Sequence, residues 1–126
     1  MSQRLRWLPL VLMMGLIFYL SHLSGNSVQL PQFSQSDKVA HALAYSMLGV
    51  CFLYALPPRW HARSAALLGI SAVLFCCFYG VTDEFHQSFV PGREVSGEDV
   101  MADVLGGGLA WLLYAGWRWW RGKQDP

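Results

Sequence analysis

The chain has 126 residues, of which 54% are hydrophobic and 13% are charged, with a net charge of +1. Soluble chains average about 25% charged residues, and a small globule has a large relative surface to cover with polar groups, so this composition excludes a disordered tail and disfavours an ordinary soluble globule. A near-neutral balance gives no basic face for nucleic acid, and the length allows a single domain, taken as residues 1–126.

Four apolar stretches follow one another: Trp7–Leu23, Val39–Leu56, Ala65–Val81 and Val100–Trp120. Each meets the roughly 17–25 residues a membrane helix needs, and none carries the polar stripe of a soluble surface helix. The sequence therefore predicts an all-α fold, a four-helix transmembrane bundle. The first stretch also has signal-peptide grammar, with Arg4 and Arg6 ahead of it and the small polar Ser21–Ser27 behind. It is long for the apolar part of such a peptide and lacks an A-x-A-like site, so it is read as a span. Pro57-Pro58 ends the second helix. Cys51, Cys76 and Cys77 fall inside spans, where a reduced cysteine acts as a small hydrophobe.

Lys and Arg placement predicts the orientation. Arg4, Arg6, Arg59, Arg63, Arg118, Arg121 and Lys123 flank one side, and only Lys38 and Arg93 flank the other. Both termini and the Pro57–Ser64 connection are thus expected in the cytoplasm, with Ser24–Lys38 and Asp83–Asp99 facing outward. Trp7, Trp60, Trp117, Trp119 and Trp120 fall at the cytoplasmic boundary as an aromatic belt.

Polar residues gather at the outward ends of the last three spans. Asp37, His41 and Tyr45 recur every four residues and share a helix face, descending about 6 Å per step. Asp83 and Gln87 repeat that spacing, and the carboxylates of Asp83 and Glu84 stand at a helix C-terminus, where the dipole opposes them. Pro91-Gly92 reads as a tight turn before Arg93, and Ser96 with Asp99 resembles a capping box opening the fourth helix. Asp103 lies about 6 Å inside the last apolar run, where a carboxylate costs about 2.5 kcal/mol or more and needs a partner such as His41, Lys38 or Arg93. Gly106, Gly107 and Gly108 would let a neighbouring helix, or a second copy of the chain, approach closely. The expected arrangement is a shallow outward cleft lined by Asp37, Lys38, His41, Asp83, Glu84, Gln87, Arg93, Asp99 and Asp103.

These blocks carry a resemblance. Asp37-Lys38-x-x-His41-x-x-x-Tyr45, then Asp83-Glu84-x-x-Gln87-x-Phe89-x-Pro91-x-Arg93, then Ser96-x-x-Asp99-x-x-x-Asp103-x-x-Gly106 resemble the VanZ-like family. The family consists of small bacterial membrane proteins, named for a protein associated with low-level teicoplanin resistance. The resemblance implies a multi-pass protein of the bacterial cytoplasmic (inner) membrane facing the cell envelope, and it implies no particular reaction. The position of Asp103 is often Asn in that family, so a charge there is not obligatory.

The function expected from these residues is binding or modification of an envelope lipid or glycan precursor, with a link to glycopeptide tolerance. In that reading Asp83 or Glu84 serves as a base and His41 as an acid. Asp37, Lys38, Tyr45, Gln87, Arg93, Ser96, Asp99 and Asp103 contact the ligand, with Lys38 and Arg93 suited to a lipid phosphate. Membrane lipids are the expected partners, and no nucleic acid is expected. No cofactor is expected, and no H-E-x-x-H spacing favours zinc; a hard divalent ion among Asp37, Asp83, Glu84 and Asp99 is the form a metal site would take. The competing readings are a non-catalytic scaffold and a small proton-linked transporter. The transporter reading is weakened by a cytoplasmic half that offers only Ser46 and Ser71 as polar steps.

Overall fold

The computed structural model describes residues 3–24 and 36–124. Most of the Ser24–Lys38 connection, expected to face outward, therefore lies outside the described residues. The described chain is helical: α1 (Gln3–Arg6), α2 (Leu8–His22), α3 (Ser36–Ala55), α4 (Pro58–His61), α5 (Ala65–Gln87) and α6 (Gly97–Gly122), with no strand among the described residues. Four helical stretches, 4–22, 36–55, 65–87 and 97–122, are long and apolar enough to cross a membrane.

The surface is that of a protein dissolved in lipid. Phe78 and Phe85 are 72% and 69% exposed, and Leu43, Leu74, Met101, Leu105 and Leu113 also point outward, while the carboxylates of Asp83, Glu84, Asp99 and Asp103 are buried. In water that distribution would leave a large apolar patch uncovered and place charges in the dry interior. In a bilayer it puts the apolar residues against acyl chains and the polar groups among the helices.

Helix α6 is the centre of the bundle and packs along both α3 and α5; α2 lies against α3 and α5. Small residues make the α6 contacts close. A Cβ at Gly49 would stand 2.7 Å from that of Ala110, and one at Gly69 would meet the Trp111 ring at 2.8 Å. Without a hydrophobic drive between helices in lipid, such backbone approach supplies the van der Waals contact that holds a bundle together. The Trp111 indole N–H donates to the Ala65 carbonyl at 2.8 Å, tying α6 to the first turn of α5. Helix α5 starts at Ser64, whose hydroxyl accepts from the Leu67 N–H. Leu48, Leu53, Leu68, Ala72, Cys76 and Ala110 fill the middle. All three cysteines are free.

The segments that carry the basic excess meet at one end of the bundle. Arg6, His61, Tyr114, Trp117 and Arg118 line a common cavity of about 550 Å³ there. The carbonyl of Leu56 can only accept, so the His61 Nε2–H donates to it at 3.2 Å, and Nδ1 accepts from the Tyr114 hydroxyl. Burial holds the His61 imidazole below its ordinary value, and the positive charges of Arg6 and Arg118 push the same way against the Leu56 hydrogen bond. A depressed histidine contributes stability that is complete above its unfolded value and is lost as pH falls through the folded one. The thermal midpoint in detergent is therefore expected to drop as the buffer is taken from about pH 7.5 to about pH 5.5. His61→Gln should remove that part of the drop; an identical pH profile in the variant would contradict the assignment.

Candidate functional site

The polar end is built around His41. Its ring lies three positions past Lys38 on α3 and reaches across to α6, where Nδ1–H donates to Asp103 Oδ1 at 2.9 Å. Asp103 is fully buried. Its second oxygen, Oδ2, has no hydrogen-bond partner and fits only because residue 80 is glycine: a Cβ there would overlap it. Asp103 thus sits between α3 and α5, and Gly80 on α5 is shaped to receive it. Of the three partners the sequence suggested, the structure selects His41. The His41 ring also stacks over Tyr45, with centroids 6.2 Å apart, and the buried Tyr45 hydroxyl has no partner.

Asp83 and Glu84 are adjacent on α5 and so point about 100° apart around the helix axis. Glu84 turns toward α6. Its Oε2 accepts the backbone N–H of Ser96 at 2.8 Å, while the Ser96 hydroxyl accepts from the Glu98 N–H at 3.2 Å. A capping box would have had Asp99 return the favour to Ser96. Here Glu84, from another helix, satisfies that donor, and Asp99 is released to face inward. Asp99 Oδ1 stands 3.7 Å from Lys38 Nζ, beyond hydrogen-bond reach, and is without a partner. Lys38 is closer to Glu98 at 3.2 Å and Asp37 at 3.5 Å. Both of those partners are largely exposed, so these pairs contribute little to stability.

Asp83 turns the other way. It lines a cavity of about 150 Å³ with Asp37, His41, Tyr45, Gln87 and Arg93 on the polar side, and Ile17, Leu20, Ala40 and Ala44 on the apolar side. Gln87 Nε2 donates to Asp83 Oδ2 at 3.1 Å and to the Ser21 hydroxyl at 3.4 Å, joining α5 to α2. Arg93 reaches back to α2 as well, with Nε donating to the Leu23 carbonyl at 3.0 Å and a terminal nitrogen to the Leu20 carbonyl at 2.7 Å. It therefore caps α2, meeting the Leu23 carbonyl past the helix end and the Leu20 carbonyl, which also accepts from the Leu23 N–H. Arg93, expected on a ligand, thus also holds α2 in place, and Ser21, expected only as part of a small polar segment, is a partner of Gln87.

The expected site residues thus fall into two groups that share one member. Asp37, Tyr45, Asp83, Gln87 and Arg93 border the cavity. Lys38, Glu84, Ser96, Asp99 and Asp103 form a second cluster between α3, α5 and α6. His41 belongs to both. The much larger cavity at the opposite end holds none of these carboxylates, and the chemistry is concentrated at the smaller one.

The glycine run is split in use. Gly106 and Gly107 are consumed inside the bundle: a Cβ at Gly106 would lie 2.6 Å from the Ala42 carbonyl oxygen, and one at Gly107 would lie 3.1 Å from the Val73 Cα. Gly108 faces open space, so of the three only it is left for contact with another chain.

A family model described as VanZ/LLP1 matches residues 6–120. The chain belongs to the VanZ/LLP1 family. The match runs from Arg6 near the start of the first membrane stretch to Trp120 near the end of α6, so it covers nearly all of the four spanning helices and every residue of both polar groups. With four apolar helices, family membership makes this a multi-pass VanZ-like membrane protein. No curated protein and no solved structure matches the chain.

Proposed function

We propose that this VanZ-family chain is a protein of the bacterial cytoplasmic membrane that binds the polar head of an envelope lipid or lipid-linked glycan precursor at the α2–α3–α5 cavity. The observation that carries the reading is the two-sided lining. Asp37, His41, Asp83, Gln87 and Arg93 offer donors and acceptors on one wall, and Ile17, Leu20, Ala40 and Ala44 offer an apolar one. About 150 Å³ is well below the roughly 300–1,000 Å³ of a pocket that encloses a whole small molecule. It suits a headgroup or a single sugar whose apolar tail stays in the bilayer. Carboxylates beside an amide are a common set for hydroxyls, which donate to Asp37, Asp83 and the side-chain oxygen of Gln87. Arg93 keeps donors beyond the two given to α2 and supplies positive charge for a phosphate.

The Lys and Arg bias supports an orientation with both termini in the cytoplasm, which turns this cavity to the envelope. Binding is preferred to catalysis because Glu84, one of the two candidate bases, is spent on Ser96 and does not border the cavity. Altered glycopeptide susceptibility is the cellular effect expected of a protein that sequesters or presents an envelope precursor.

Native mass spectrometry of the full chain, released gently from bacterial membranes, tests the reading. One phosphate- or sugar-bearing lipid adduct per chain is expected. Asp83→Asn combined with Gln87→Leu should deplete it about tenfold, which corresponds to about 1.4 kcal/mol of lost hydrogen bonding. Bare protein, or an adduct unaffected by the double change, would refute it.

A further inference from the structure

Behind the cavity, three helices bring three potential ligand atoms together: one nitrogen of the His41 ring from α3, and one carboxylate oxygen each from Glu84 on α5 and Asp99 on α6. All lie within 4.8 Å of one another. Two features separate this cluster from a chance gathering of acids. First, Glu84 and Asp99 are 4% and 6% exposed, and Glu84 Oε1 and Asp99 Oδ1 have no hydrogen-bond partner. Buried carboxylate oxygens without a donor are costly, and a cation held by these residues removes the cost. Lys38 does not fill that place, because its ion pairs are with Asp37, Glu98 and, at the longest distance, Asp99, and none is with Glu84. Second, His41 is already oriented as a metal-ligating histidine would be. Its Nδ1 is bonded to the buried Asp103, so in the neutral ring Nε2 carries the lone pair, the arrangement in which an outer carboxylate orients a ligating imidazole.

We propose that His41, Glu84 and Asp99 hold one divalent cation of the zinc or manganese type, with Asp103 as the outer partner of His41. Ligand atoms bound at about 2.1 Å from a single ion stand roughly 3–4 Å apart, so the cluster needs to contract by little more than a side-chain adjustment. One imidazole with two carboxylates favours these ions over calcium or magnesium, which take all-oxygen sets. Three protein ligands leave coordination positions open, and His41 borders the cavity as well as the cluster. The ion would therefore stand beside a headgroup bound there. The inference goes beyond headgroup binding and does not require it.

The test is calorimetric titration of chelator-stripped full-length protein in detergent with Zn²⁺ and with Mn²⁺, with bound metal counted by elemental analysis. One ion per chain is expected for one of the two metals. Asp99→Asn and Glu84→Gln should each weaken binding at least about tenfold, and Asp103→Asn by a smaller factor. Glu84→Gln retains an oxygen to accept from Ser96, so this variant should elute as a folded, monodisperse species, and loss of metal from it is then loss of a ligand. His22 and His86 form a second, exposed imidazole pair 3.4 Å apart, so His22→Asn with His86→Asn is the control and should bind as the parent does. Absence of stoichiometric binding, binding indifferent to both carboxylate changes, or binding abolished by the His22/His86 control would each overturn the proposal. Lipid adducts scored in chelator on the same samples show whether headgroup binding stands or falls separately.

Discussion

Gly106→Ala is expected to destabilise the bundle by about 3 kcal/mol, at the upper end of what overpacking usually costs. The added methyl would sit 2.6 Å from the Ala42 carbonyl oxygen, 2.8 Å from the Ser46 amide nitrogen and 2.9 Å from the Tyr45 Cβ. Two of these are backbone atoms of α3, which cannot rotate aside, so α3 and α6 must separate. That movement acts where His41 bonds Asp103, one turn away on each helix, so the polar cluster should loosen along with the packing. Gly108→Ala, two positions on, meets nothing within 4 Å. It should be neutral, or stabilising by up to about 1 kcal/mol through helix propensity. Unfolding titrations of the two variants in mixed detergent and SDS compare them directly. Equal stability would mean that α3 and α6 are not in backbone contact at residue 106.

Asp103→Ala should cost about 3–5 kcal/mol, the usual range for removing one member of a buried charged pair. It strips the acceptor from His41 Nδ1 and opens a void against Gly80. Asp103→Asn should behave differently. The amide oxygen can accept from His41 as the carboxylate does, and the amide NH₂ takes the place of an oxygen that now has no partner. Its cost should stay within about 1 kcal/mol, the size of a typical net hydrogen bond. The same unfolding titration reads both. If the two variants are equally damaging, the role of Asp103 is charge rather than hydrogen-bond geometry, and the account of this pair fails.

How much of this could be read in advance depends on whether a feature is local. The four spans were legible because lipid burial demands long apolar runs, and α5 extends past the predicted Val81 only because its last turn carries the polar residues. The shared face of His41 and Tyr45 was legible because a helix repeats every three to four residues. The roles of Asp83 and Glu84 were not. Pooling them ignored the 100° between neighbours, and which of the two faces α6 depends on the position of a helix that begins a dozen residues later. Ser96 and Asp99 were read as a self-contained capping box because that motif is local; the donor was in fact taken by Glu84, and nothing within four residues announces it. Arg93 bonding to α2 carbonyls and Gly80 accommodating Asp103 are likewise contacts between distant segments. In each case the sequence named residues of the right chemistry, and the partners came from helix packing.

The convergence of His41, Glu84 and Asp99 from α3, α5 and α6 at one locus organises this end of the bundle. Its most direct test is thiol cross-linking in native membranes, with Cys51, Cys76 and Cys77 replaced by alanine and the pair Glu84→Cys with Asp99→Cys introduced. A short bifunctional thiol reagent should join the two positions within one chain, so that protease-cut fragments carrying α5 and α6 still migrate together. If each cysteine reacts singly while the fragments separate, the carboxylates do not converge and the account of the site is wrong.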